Sequence, residues 1–210
     1  IGLNDSQIER CATITSFNRL DSIKPPIEFI KYFPNFLLNK ALINLKKSFE
    51  SKDFLKAFMP EPFINNGPNS YDFRTSELPA GNGHGTASGL AKLFGILSTG
   101  CKRNNNILMR EDSLYKATRI YTSGPDTVLF GVLLNFGYCF MLEGNIKSEI
   151  NFAPIFYKGT FGHAGIGGSV AFGDIKNQIG YSFVCNKQQK NKNLYKTSNL
   201  LTKALYKSIS

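Results

Sequence analysis

The chain is poor in the residues that hold metals. It has two histidines, His84 and His163, and four cysteines, Cys11, Cys101, Cys139 and Cys185, far apart and without a Cys-x-x-Cys pair. Zinc needs ligands gathered at short spacing, and neither histidine has a cysteine pair near it, so no metal site is expected. The same scatter argues against a disulfide framework and favours a reducing compartment such as the cytoplasm. Cys139 and Cys185 lie in apolar runs, where a thiol serves as a small hydrophobe. The start, IGLNDSQIER, lacks the basic and apolar regions of a secretory signal. The most apolar run, residues 128–142, falls short of the roughly 20 residues that a spanning helix needs. Asp126 and Glu143 flank it and Gly131 and Gly137 divide it, so buried strands are expected there and no membrane span. A dinucleotide fingerprint is missing too. The glycine-rich run GNGHGTASG has Ser88 where a glycine is needed, and Leu78-Pro79 precedes it instead of a strand. His84 within it is read as a packing or capping residue, and no cofactor is expected.

Basic charge is present, but it is spread out. Lysine and arginine number 25 against 15 acids, giving a formal charge of +10. The lysines are dispersed among asparagines, which describes a solvated surface; a nucleic-acid groove would concentrate arginine and interleave aromatics along one face. Nucleic acid is therefore not an expected partner. At 210 residues, 42% of them hydrophobic, the chain can bury a substantial core. No internal repeat occurs.

Apolar spacing predicts helices over 35–49, with Leu38, Leu42, Leu45 and Phe49 on one face, and over 54–59 before Pro60. Residues 61–83 read as loop, rich in Pro, Asn and Gly. A helix over 86–98 follows, with Leu90, Leu93, Phe94 and Leu97 aligned and Gly100 as its stop. Another is expected over 110–121, where Glu111 and Asp112 suit the first turn. Paired apolar segments come at 127–134 and 136–142. A last helix over 194–209 would present Leu194, Leu201, Leu205 and Ile209.

Residues 161–169, FGHAGIGGS, are the centre of the chain. Four glycines lie here beside His163, and two alternating segments, SVAFGD and QIGYSFVCN, follow around the turn IKN. This is a strand with an exposed backbone leading into a β-hairpin. Glycine at that density means that the chain bends, or that something approaches the main chain closely.

The segments SELPAGNGHGTASGLAKLFGIL, SGPDTVLFG, FGYCFML and FGHAGIGGSVAFGDIKNQIGYSFVCN, in that order, resemble the C-terminal part of the serine β-lactamase-like family. That family includes class C-type β-lactamases, related esterases, D-alanyl-D-alanine peptidases and β-lactamase-domain proteins. The start IGLNDSQIER looks like the segment after the family's second motif. The resemblance implies an α+β fold, an antiparallel β-sheet flanked by helices, as in the C-terminal part of the β-lactamase/transpeptidase-like fold. It also implies that residues 1–210 are the C-terminal portion of a single domain whose N-terminal part is not in this chain. An open sheet edge, and self-association through it, would follow.

Members of the family use three motifs: Ser-x-x-Lys with the nucleophile and its base, Tyr-x-Asn, and a Lys-Thr-Gly-like or His-Thr-Gly-like strand. His163-Ala164-Gly165 looks like the third. By that resemblance His163 helps place substrate, Gly165 keeps the strand clear for it, and the Ile166 N–H is an oxyanion donor. Alanine at 164, where the family has threonine, removes a hydroxyl that would meet a β-lactam carboxylate. The single Ser-x-x-Lys, Ser113 to Lys116, follows directly on Glu111 and Asp112, whose charge opposes an alkoxide. Tyr-x-Asn is absent from the chain; Ser16-Phe17-Asn18 and Lys196-Thr197-Ser198 are chance look-alikes. No catalytic residue is thus assigned within the chain, and His163, Ala164, Gly165 and Ile166 are candidate substrate-binding residues. The implied activity is ester or amide hydrolysis on a small molecule by the full-length protein, with this chain inactive alone. The alternative is a catalytically dead relative used for binding or assembly, and a third reading is a basic module for anionic partners.

Overall fold

The computed structural model describes residues 1–15, 43, 67–126, 133–144, 153–189 and 193–210. The helices expected over 35–49 and 54–59 lie outside the described residues, apart from Ile43, which is helical and exposed. Ser16 and Asn18 lie outside them as well.

The fold is α+β. Near the start, α1 (Asp5–Ile8) opens with a capping box in which Asn4 and Gln7 satisfy each other's backbone N–H. The loop expected over 61–83 contains a short helix, α2 (Tyr71–Thr75), capped by Ser70. The buried Arg74 on it donates through Nη2 to the Ala12 carbonyl and the Asn69 side chain, both at 3.2 Å, tying α2 to the N-terminal segment. Asn82, also buried, donates through Nδ2 to the carbonyls of Phe73 and Ser76. The sequence did not single out either residue.

Helix α3 (Ala87–Ser98) forms as expected. Thr86 is its N-cap, accepting from the Gly89 N–H at 3.0 Å, and Gly100 lies beyond its end at φ +98°. A two-stranded hairpin follows, β1 (Lys102–Arg103) with β2 (Asn106–Ile107), then helix α4 (Glu111–Ala117). The expectation that α4 would run to 121 is corrected, and the cause is competition for its hydrogen bonds. The Ala117 carbonyl, which would accept from Tyr121 in a continuing helix, instead accepts from the Tyr138 N–H at 2.8 Å. The Tyr121 N–H goes to Phe136 at 2.9 Å, and the chain enters the sheet.

The main sheet has six antiparallel strands in chain order: β3 (Thr122–Pro125), β4 (Leu133–Phe136), β5 (Met141–Leu142), β6 (Thr160–Ala164), β7 (Val170–Asp174) and β8 (Ile179–Phe183). Of the segments expected at 127–134 and 136–142, the described residues form β4 across their boundary and β5 at the end of the second, paired with Asn135 opposite Leu142; residues 127–132 lie outside the described ones. Between β4 and β5 the chain makes a tight turn, with the Gly137 N–H donating to Phe140 at 2.9 Å. Cys139 sits in that turn at φ +63° and is exposed, so it is not the small buried hydrophobe expected. Cys101 takes that role, fully buried beneath α3.

Strand alternation gives the sheet two faces. Leu142, Phe161 and Ala171 face Phe94 and Leu97 of α3, with Leu114 of α4. The rings of Phe94 and Phe140 meet Phe161 at 5.9 and 5.2 Å between centroids. On the other face Leu134, Met141, Val170 and Phe172 pack with Phe156 and Tyr195 beneath the last helix, α5 (Lys196–Ile209). The apolar stripe expected over 194–209 holds at Leu194 and Leu205, which pack against the core, and is corrected elsewhere. Leu201 and Ile209 are exposed, and the buried positions are Ser198, Asn199 and Thr202, with Leu205 and Tyr206 partly covered. Polar side chains can face the core because they find partners there: Asn199 accepts from the Ile155 N–H and donates to the Ala153 carbonyl, both at 3.0 Å.

The β7–β8 turn is fixed to α5 through Asp174, which is fully buried. Its carboxylate accepts from the Tyr206 hydroxyl at 2.6 Å, the Asn177 amide at 2.7 Å and the Asn177 N–H at 3.0 Å. Burial alone would push this carboxyl up, but those bonds and the Lys176 N–H outweigh it and hold the group below its ordinary range.

Candidate active-site strand

Strand β6 carries the candidate residues to one end of the sheet. It is the fourth of six strands, so its backbone is paired on both sides, with β5 and β7. His163 stands opposite Ala171 on the face that α3 covers at Phe161, but it is itself exposed. Its Nδ1 lies 2.9 Å from the Ala164 carbonyl. A carbonyl can only accept, so Nδ1 is the donor in that bond and Nε2 is the ring nitrogen left for another partner. Ala164 is half-buried on the opposite face, packed against the core beneath α5.

The four glycines of this stretch answer to different constraints. A Cβ on Gly162 would lie 2.1 Å from the Ala171 carbonyl, so the strand crossing requires glycine there. Gly167 and Gly168 have φ of +109° and +107°, and a Cβ on Gly168 would also meet the Leu194 carbonyl at 2.5 Å. Gly165 is different. Its φ is not in the left-handed region, and its Cβ would meet only Ser169 atoms, at 3.8 Å and beyond. Nothing described in the fold demands glycine at 165.

Behind Gly165 the turn is held carbonyl by carbonyl. The Gly165 oxygen accepts from the Tyr195 hydroxyl and the Gly168 N–H, both at 3.2 Å. The Ile166 oxygen accepts from the Gln188 amide at 3.4 Å. The Gly167 oxygen accepts from the Gln189 N–H at 3.0 Å and the Cys185 thiol at 3.4 Å. Among the described residues no acceptor takes the Ile166 N–H. These backing residues carry no motif; Tyr195 is 30 positions from Gly165, and only the β7–β8 hairpin and α5 bring it near.

The other sequence candidates lie elsewhere in the fold. Ser113 and Lys116 are on α4, where the Lys116 ammonium is exposed and pairs with Asp112 at 3.6 Å. Lys196, Thr197 and Ser198 form the first turn of α5, and the Ser198 hydroxyl is buried against the Tyr195 carbonyl at 3.1 Å. His84 is exposed, and Thr86 makes the cap that His84 was expected to make or to pack beside. An open groove of about 500 Å³ lies at the other end of β6, beside Thr160, Lys158 and Lys176, away from His163. Among the described residues no helix is long and apolar enough to cross a membrane, and no His, Cys, Asp and Glu cluster could hold a metal.

Comparison with known proteins agrees with the fold. Residues 15–204 match the model of the Beta-lactamase family. A 115-residue stretch, 53% of the chain, is 30% identical to the esterase/beta-lactamase LipL of Mycobacterium tuberculosis and spans 24% of that protein. A penicillin-binding protein homologue from Caulobacter crescentus superposes over 99% of the chain with a TM-score of 0.69 and 27% identity; the chain spans 47% of it. A family VIII carboxylesterase superposes over 61% of the chain, and 35% of its own, with a TM-score of 0.50 and 27% identity. The chain thus spans a quarter to a half of the relatives it matches.

Proposed function

The chain belongs to the Beta-lactamase family, and from that premise we propose that it is the C-terminal part of a serine hydrolase that cleaves small esters or amides through an acyl-enzyme. The end of β6 lines the substrate site. His163 places substrate and offers Nε2 to it, Gly165 leaves the backbone bare against the substrate, and the Ile166 N–H meets the oxyanion. The nucleophilic serine, its lysine and the tyrosine are supplied by polypeptide outside this chain; among the described residues Lys116 pairs with Asp112 and not with Ser113. Alone, the chain cannot form the covalent intermediate.

The observation that carries this reading is Gly165: glycine stands where the described fold leaves room for a side chain, as expected if a ligand occupies that room. Esters are favoured over β-lactams, because the methyl of Ala164 is turned toward the core beneath α5 and brings no hydroxyl to a carboxylate. The test is hydrolysis of p-nitrophenyl butyrate and of nitrocefin, with fluorophosphonate labelling, by the full-length protein and by this chain. Labelling and ester turnover by the full-length protein, with neither by the chain, are expected. A full-length protein that neither labels nor turns over ester overturns the proposal. Gly165→Val should lower kcat/KM for the ester about 100-fold while leaving the melting temperature within a few degrees.

A further inference from the structure

The backing of the β6 turn points to two residues that no motif names. We propose that Tyr195 and Gln188 are the positioning residues of the Ile166 oxyanion donor, each holding one of the two peptide units that flank Ile166. This rests on the acyl-transfer reading and adds to it the device that keeps the donor aimed.

The reason is peptide geometry. In a trans peptide the C=O and N–H point in opposite directions, and the described residues contain no cis bond. The Ile166 N–H belongs to the same rigid unit as the Gly165 C=O, so whatever holds that oxygen aims that hydrogen the other way. The holder is the Tyr195 hydroxyl, at 3.2 Å, joined by the Gly168 N–H. The next unit joins the Ile166 C=O to the Gly167 N–H, and its oxygen is held by the Gln188 amide at 3.4 Å. Without these bonds both units would turn easily, because glycine at 165 and 167 gives the backbone its widest freedom. Oxyanion stabilisation depends on donors fixed before the charge develops.

Tyr195 is suited to hold because it is itself held. Its ring is buried with Val170, Phe172 and Phe156. Its own carbonyl accepts from the Asn199 N–H at 2.8 Å and the Ser198 hydroxyl at 3.1 Å, at the start of α5. Asn199 is in turn bonded to the backbone at 153 and 155. Packing alone would be served by phenylalanine; the hydroxyl is what reaches the turn. Burial also raises its pKa above the ordinary phenol value, which keeps the hydroxyl protonated as a donor to the turn. Gln188 covers Gly167 closely enough that a Cβ there would meet its side chain at 2.7 Å.

The test uses the full-length protein with Tyr195→Phe and, independently, Gln188→Met, which keeps the length of the side chain and removes the amide. Steady-state hydrolysis of p-nitrophenyl butyrate, inhibition by an aryl boronic acid, a pH–rate profile and thermal melting are measured for each. Tyr195→Phe is expected to lower kcat about 10-fold and weaken the boronate by the same factor, with KM within about twofold. The limbs of its pH profile should not move. Gln188→Met is expected to show the same pattern at about threefold, and it carries the test if Tyr195→Phe does not fold. Wild-type kcat and boronate affinity in the folded variants overturn the inference. So does a lower melting temperature with boronate affinity intact, which marks a structural role only, or a lost pH limb, which marks proton transfer. No turnover by the unaltered protein sinks the acyl-transfer reading and this inference together; turnover by it with unaffected variants sinks this inference alone.

Discussion

Helices α3 and α5 cover opposite faces of the same sheet by opposite means. α3 follows the usual pattern: a threonine cap, then Phe94 and Leu97 pressed onto Phe161 and Ala171. It also approaches β8 until backbones touch, since a Cβ on Gly180 would lie 2.1 Å from the Ala91 carbonyl and the Gly95 nitrogen. α5 turns Ser198, Asn199 and Thr202 inward and leaves Leu200 and Leu201 in solvent. Its apolar contacts come from Leu205 and Tyr206, and it is attached by hydrogen bonds to the chain at 153–155, to Asp174 and, just before its first turn, to Gly165. Close packing needs only shape. Hydrogen-bonded attachment also fixes position, and on this side of the sheet it is the candidate turn that is positioned.

The largest effect expected from this contrast is at Gly180. Gly180→Ala forces α3 off the sheet and should cost about 3 kcal/mol or more, read by chemical denaturation. Across the same contact, Gly95→Ala should be neutral or stabilising by up to about 1 kcal/mol, because its Cβ would lie 3.9 Å from Gly180. Equal penalties at the two glycines would break the account of α3.

On α5, Asn199→Leu should cost about 2–3 kcal/mol, since it leaves a buried N–H and a buried C=O without partners. Leu201→Ser on the same helix should change stability by less than about 0.5 kcal/mol. A reversed ranking would mean that α5 is held by its leucines after all.

Asp174 sharpens the point through pH. Its folded pKa lies below its unfolded value of about 4. The stability it contributes is therefore complete above about pH 4 and is lost as pH falls through the folded value. Asp174→Asn should cost about 2 kcal/mol at pH 7 and flatten the fall in melting temperature between pH 5 and pH 2. An acid limb of unchanged steepness in the variant would remove Asp174 from the attachment of α5. The cap has a smaller effect than Asp174: Thr86→Ala should cost about 1 kcal/mol.

Much of this architecture could be read in the residues. The apolar face predicted α3, alternation predicted β6 to β8, and Gly100 marked a helix end because a left-handed φ suits glycine. The end of α4 could not be read, because Tyr138, far along the chain, takes the Ala117 carbonyl that the helix would have used. Nor could the exposure of Cys139, since an apolar run gives no sign of which residue will occupy its turn. On β6 the resemblance pointed to His163, Ala164, Gly165 and Ile166 but gave no reason for the glycines at 162, 167 and 168.

Local chemistry was thus determined by the sequence alone: which segments alternate, where a helix stops, and that a His-Ala-Gly strand lies in a chain whose single Ser-x-x-Lys stands beside acids. Those properties depend on neighbours within a few residues, where spacing translates directly into geometry. Tertiary structure decided which glycine is free of the fold's own demands, which face of α5 turns inward, and which distant hydroxyl reaches the Gly165 carbonyl. Each of these is a contact between residues tens of positions apart, made only when strands and helices stack, and no local pattern encodes it.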